Sequence, residues 1–141
     1  MSSLLRFVLV VSISAPLGAV TPRPGHAQDA TLGLELNKLE TLEGGCRAFF
    51  VVRNEGGTTF ERLDLDLVTF RPDGVVGARF QVELAPLAAD KTVVKPFDFA
   101  GVSCGDIDRV LLNDVVACAP PEPSACLTMI APSSLAAEFF K

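Results

Sequence analysis

Hydrophobic and polar side chains alternate with a period of two along most of the chain after residue 30. Over residues 31–40, Leu32, Leu34 and Leu36 fall on one face and Thr31, Gly33 and Glu35 on the other, the pattern of a strand with one buried face. A loop over 41–45 precedes a strand over 46–54, Cys-Arg-Ala-Phe-Phe-Val-Val-Arg-Asn, rich in aromatic and β-branched residues. After a glycine-containing turn at 55–58, the stretch from Phe60 to Phe70 sets Leu63, Leu65 and Leu67 against Arg62, Asp64 and Asp66. Arg71-Pro72-Asp73-Gly74 has proline second and glycine fourth, as a type I turn prefers, and predicts a hairpin onto 75–84. Residues 85–90 read as a connection. The strand over 91–99 contains Pro96, which has no N–H to give a ladder and so belongs near a sheet edge. Residues 100–106 read as a loop, 107–118 and 126–130 as a last hairpin, and 132–141 as a final strand or a frayed tail.

About seven strands, turn signals every 8–12 residues and no long helical period predict an immunoglobulin-like antiparallel β-sandwich. The chain has no Trp, so the buried indole of antibody-type domains is missing. No internal repeat is visible, and only 119–125 is compositionally biased, by its prolines.

The first 27 residues follow another pattern. A short segment ending at Arg6, an apolar run from Phe7 to Leu17, and small residues at Gly25 and Ala27 form a secretory signal peptide with a cleavage site. The apolar run is short for a membrane span, and no later segment replaces it. The mature protein expected is residues 28–141, a single domain without a transmembrane segment, periplasmic or secreted. Removing Arg6 and Arg23 leaves 10 basic against 17 acidic residues, a net charge of −7. That balance disfavours nucleic acid and anionic membranes, which attract clustered positive charge. His26, the one His, leaves as well, and with it the commonest general base and metal ligand.

All four cysteines, Cys46, Cys104, Cys118 and Cys126, lie in the mature part. An even number in an oxidising compartment predicts two disulfides. Of the three possible pairings, Cys118–Cys126 with Cys46–Cys104 is favoured, because Ala-Pro-Pro-Glu-Pro-Ser-Ala between the former is turn-like. With no C-x-x-C and no mature His, the set does not fit zinc.

The runs Leu34-Glu-Leu-Asn-Lys-Leu-Glu40 and Gly45-Cys-Arg-Ala-Phe-Phe-Val-Val-Arg-Asn54 resemble a family of small exported alphaproteobacterial proteins. So do Leu63-Asp-Leu-Asp-Leu-Val68, Pro72-Asp-Gly-Val75, Lys91-Thr-Val-Val-Lys95 and Arg109-Val-Leu-Leu-Asn-Asp-Val115. Some members carry a twin-arginine export label; here the segment before the apolar run has only Arg6, which fits the general secretion route. The arrangement of Cys46, Phe60 to Phe70 and Asp73-Gly74 is also similar to extracytoplasmic β-sandwich domains with an F-x-L-Y-D-type motif. The resemblance implies a binding or interaction module and supplies no catalytic residues.

Candidate sites follow from chemistry. Asp64 and Asp66 share a strand face and could bind calcium or act as an acid–base pair; the alternative is a solvated outer face matched by Arg53 or Arg79. Asp106 and Asp108 near Gly105 form a second weak metal candidate without the full D-x-D-x-D-G pattern. Arg109 and Asn113 fall on one strand face and Asp114 on the apolar one, which requires a bulge, a strand end or a hydrogen-bonded partner; otherwise the three form a partner-binding surface. Phe139 and Phe140 either complete the core or form an exposed docking tag. The mature serines, 103, 124, 133 and 134, sit in no G-x-S-x-G elbow. The expected function is a non-catalytic, cofactor-free module that binds another envelope protein; the alternative is a small-ligand or calcium-binding periplasmic protein.

Overall fold

The computed structural model describes residues 31–141; the signal-peptide reading of residues 1–27, with Arg6, Arg23 and His26, lies outside them. The described chain forms eight strands: β1 (Leu32–Leu42), β2 (Gly45–Asn54), β3 (Arg62–Phe70), β4 (Val76–Glu83), β5 (Lys91–Ala100), β6 (Arg109–Ala119), β7 (Ile130–Ser134) and β8 (Glu138–Phe140). A short helix, α1 (Pro123–Met129), links β6 to β7, and a 3-10 turn over Cys104–Asp106 leads into β6. The strands build two four-stranded sheets, ordered β5-β2-β1-β7 and β4-β3-β6-β8. The expected all-β sandwich with two disulfides is present. Among the described residues no helix is long and apolar enough to cross a membrane.

The alternation seen in the sequence is what lets the sheets face each other. Leu32, Leu34 and Leu36 of β1, Ala48, Phe50 and Val52 of β2, and Leu63, Leu65 and Leu67 of β3 are all buried, each set spaced by two as a pleated strand requires. Phe50 meets Phe139 edge to face at 5.5 Å between ring centroids, and Phe80 stacks on Phe99 at 4.2 Å. The turn after β3 forms as expected, with Gly74 at φ 80° and its N–H donating to Arg71 O at 2.8 Å. Pro96 lies in β5, an edge strand.

Three polar side chains are buried among the described residues, Asn54, Asp66 and Thr69. Asn54 is 2% exposed. Its Nδ2 donates to Thr58 O and Ala88 O at 2.7 and 2.9 Å, and its Oδ1 accepts from Gly56 N–H at 3.2 Å. A buried amide with its groups satisfied fixes the chain at two distant points, here tying the turn after β2 to the connection before β5.

Among the described residues the strands number eight, in line with the about seven expected. Two expectations are corrected. Cys126 and its neighbours lie in α1, not in a strand: Pro123 stands at the helix start, where its missing N–H costs nothing, and Ala125, Leu127 and Met129 are good helix formers. The last hairpin is therefore absent. β7 crosses instead to the first sheet and pairs with β1 in parallel, and β8 pairs with β6 in parallel, so the sandwich is not antiparallel throughout. Of the two readings of the tail, the final strand is the one that forms, as β8 in the second sheet.

The disulfides join Cys46 to Cys104 and Cys118 to Cys126, the favoured pairing. The first links the start of β2 to the 3-10 turn preceding β6, and thus one sheet to the other. The second holds α1 against the end of β6.

Candidate functional site

The outer face of the β4-β3-β6-β8 sheet collects most of the polar candidates. On β3 the outward positions are Arg62, Asp64, Asp66, Val68 and Phe70, and their character changes midway. The first half is charged and the second half apolar. Leu111 of β6 lies opposite Val68, and Phe140 of β8 lies opposite Leu111, so four apolar side chains adjoin on a surface ordinarily polar. All four are half-buried.

Arg109, at the start of β6, caps this strip. Its guanidinium lies 5.1 Å from the Phe70 ring centroid and 6.0 Å from that of Phe140, within the range for cation–π attraction. The two rings are 6.3 Å apart. Its Nε lies 3.4 Å from a carboxylate oxygen of Asp108, a loose contact at the sheet margin. Beside the strip, Leu111, Leu112, Asn113, Leu127, Thr128 and Lys141 line a cavity of about 310 Å³ between β6 and α1.

The charged half of the face is closed upon itself. Asp66 is fully buried although it points to the outer side. Arg79 of β4 donates to both its oxygens, from Nε at 2.6 Å and from Nη2 at 2.8 Å, and Asn113 Nδ2 donates at 2.6 Å. The expectation of a solvated carboxylate is corrected: neighbouring strands lay Arg79 and Asn113 over it. Arg79 is the cross-strand partner foreseen, whereas Arg53 pairs with Glu35 on the other sheet at 3.3 Å. The hydrogen bond from Arg79 holds the Asp66 carboxyl below its ordinary value, burial works in the opposite direction, and the Asn113 bond and the Arg79 charge add to the lowering.

A lowered folded-state pKa means that the unfolded chain binds the proton more readily, so the bonded carboxylate stabilises the fold above the unfolded value and loses that effect as pH falls through the folded one. Asp66→Asn should therefore cost about 2 kcal/mol at neutral pH, the scale of a charged hydrogen bond. It should also flatten the decline of stability below about pH 4. Denaturant unfolding of both proteins at a series of pH values checks this; parallel acid limbs would show that Asp66 titrates normally.

The other candidates separate. Asp64 is bound by Arg62 at 3.0 Å, and its Oδ1 has no hydrogen-bond partner among the described residues. Asp106 lies in the 3-10 turn at the sandwich end. Asp108 contacts Arg109. Two pairs of candidate carboxylates thus fail to converge, and among the described residues no group of three or more His, Cys, Asp or Glu is placed to hold a metal ion. Asp114 is exposed, its Oδ1 accepting from Val115 N–H at 2.8 Å, at a register shift between β3 and β6, as its place in the pattern demanded. Phe139 is 5% exposed and belongs to the core, so it is withdrawn from the candidate surface. Phe140, turned the other way, stays in it.

Val68, Phe70, Leu111 and Leu127 were missed as site residues. The signal for the first two was a break in the alternation, since apolar residues occupy both faces of β3 from position 67 onward. Two further cavities, of about 320 and 310 Å³, share Gly101 and Val102 at one end of the sandwich and are lined by strand ends and turns. The outer face of the other sheet is laced by Arg47–Asp98, Arg53–Glu35 and Lys38–Glu40, with Lys38 5.3 Å above the Phe49 ring. No protein-family model, curated protein or solved structure matches the chain.

Proposed function

We propose that this protein is a non-catalytic binding module of the bacterial envelope, working in the periplasm or outside the cell after removal of its signal peptide. In this reading it docks an envelope protein on the outer face of the β4-β3-β6-β8 sheet. The observation that carries the reading is the strip of Val68, Phe70, Leu111 and Phe140 topped by Arg109. Half-exposed apolar side chains grouped on one face mark interaction surfaces more often than scattered ones do, and aromatic residues with arginine are the usual anchors of binding. The fitting occupant is a protein segment with an apolar side chain for the strip and a carboxylate for Arg109. Two disulfides support an oxidising compartment, and the signal-like residues 1–27 and the resemblance to small exported proteins agree with it.

The test places a photo-crosslinking amino acid at Leu111 in living cells, with Val94, on the outer face of the other sheet and 60% exposed, as the comparison site. One partner should be labelled from position 111 and not from 94, and Arg109→Glu should abolish the labelling while leaving the thermal midpoint in place. Equal labelling from both positions, or labelling indifferent to Arg109→Glu, would remove this face from consideration. Calcium ions and chelator should leave the melting curve unchanged; a rise with calcium would favour the ion-binding alternative, because a ligand of the folded state stabilises it by mass action.

A further inference from the structure

A sheet with ends must protect them, since an edge strand presents unpaired N–H and C=O groups to any passing strand. Four strands of this sandwich are edges: β5 and β7 of one sheet, β4 and β8 of the other. Three carry an evident block. β5 has Pro96, and Lys91 and Lys95 along its length. β7 is 5 residues long and contains Pro132, and β8 is 3 residues long. β4, Val76–Glu83, has 8 residues, no proline and no pairing on its outer side among the described residues.

The register of β4 on β3 shows which of its backbone groups are free. Leu84 N–H donates to Leu63 O at 2.8 Å, and Leu65 lies opposite Val82 and Leu67 opposite Phe80. In an antiparallel ladder the hydrogen-bonded positions alternate. The backbone groups of Phe80 and Val82 therefore turn to β3, while those of Arg79, Gln81 and Glu83 turn outward. Two copies of β4 can then pair antiparallel only in registers that match odd-numbered residues with odd-numbered residues.

Among those registers, one centred on Arg79 or on Glu83 would oppose like charges, which is unfavourable across a ladder. Centring on Gln81 sets Arg79 opposite Glu83 of the second copy, twice over, and Gln81 opposite itself. Glu83 is exposed and enters none of the ion pairs among the described residues. Arg79 is 66% exposed although two of its nitrogens serve Asp66, so a further N–H can reach a second carboxylate. The same register places Phe80 opposite Val82 of the other copy, and Phe80, stacked on Phe99 of β5, is only half-buried. Charge and apolar patterns are thus both self-complementary about one point, as a twofold interface requires.

We propose that two copies of this chain join edge to edge through β4, antiparallel and about a twofold axis at Gln81, making one continuous eight-stranded sheet. The two docking faces then lie side by side on the same surface, so the assembly presents its partner with a doubled site. The dimer does not depend on the binding function above, and either can fail without the other.

Sedimentation equilibrium of the purified protein over a concentration series should show a reversible monomer–dimer equilibrium. Glu83→Arg, which opposes like charges at both ends of the ladder, should raise the dimer dissociation constant at least about tenfold. It should leave the circular dichroism of the monomer unchanged and should not lower its melting midpoint, since Glu83 enters no ion pair among the described residues and lies opposite Asp64 on β3. Gln81→Cys should form a disulfide-linked dimer on mild oxidation, and Val94→Cys should not. A monomer at every concentration would overturn the proposal. So would a dimer that tolerates Glu83→Arg and does not crosslink through position 81, because the copies would then meet elsewhere.

Discussion

Replacing Cys46 and Cys104 together by alanine should lower stability by about 4 kcal/mol, while the same change at Cys118 and Cys126 should cost about 2.5 kcal/mol. The order follows from the 58 residues separating the first pair and the 8 separating the second, because a crosslink restricts the unfolded chain more when it closes a longer loop. Cys46 is also fully buried, so its alanine variant leaves a small gap in the packing between the sheets. For a domain of this size the larger loss corresponds to a fall of roughly 20 °C in the melting midpoint. Guanidinium unfolding and calorimetry of the two double variants provide the check. Equal losses, or a larger loss at Cys118 and Cys126, would mean that native packing around the bridges outweighs chain restriction.

Phe50→Ala should be comparably severe, costing about 4 kcal/mol, the range for removing a buried aromatic ring and leaving a cavity. Phe50 is 1% exposed and lies between Phe97 at 6.1 Å and Phe139 at 5.5 Å. It therefore holds β2, β5 and β8 in one cluster across the two sheets. Phe139→Ala should also destabilise, by about 3 kcal/mol, and a double-mutant cycle should return a coupling of about 1 kcal/mol for the edge-to-face pair. A near-neutral Phe139→Ala would return that residue to the surface as a docking element. Both variants are read by chemical denaturation, with the native fold confirmed by circular dichroism before unfolding.

Much of the sandwich was legible because β1, β2 and β3 obey a local rule. Each places small sets of Leu, Phe and Val at every second position, and the pleat converts that spacing directly into an inner face. The turn at 71–74 and the edge position of Pro96 were legible for the same reason, since proline and glycine act on their own backbone. The cysteine pairing followed from one local clue, the proline-rich stretch between Cys118 and Cys126.

What escaped was decided by distant parts of the chain. Asp66 reads as a solvent-facing residue, and its side is indeed the outer one, but Arg79 and Asn113 arrive from two other strands to cover it. Arg79 was among the partners expected for that face; Asn113, from β6, was not, and nothing near position 66 announces it. The path of residues 123–140 was missed because a short apolar run such as Cys-Leu-Thr-Met fits a helical turn and a strand equally well. Only its tertiary setting, a bridge to β6 and a crossing to the other sheet, selects the helix. The site strip was half visible: Val68 and Phe70 break the alternation of β3, but their meeting with Phe140 needs the parallel pairing of β8, which no local pattern supplies.

That late crossing imposes an order on assembly. β1 is flanked by β2 on one side and by β7 on the other, and Leu32 pairs with Ile130, about a hundred residues later in the chain. A ribosome or export channel delivering the chain from its N-terminus releases β1 long before its second neighbour exists. Through that interval the strand carries a bare flank and three leucines without their full cover, so an early piece of the fold waits for β7, which acts as its clasp.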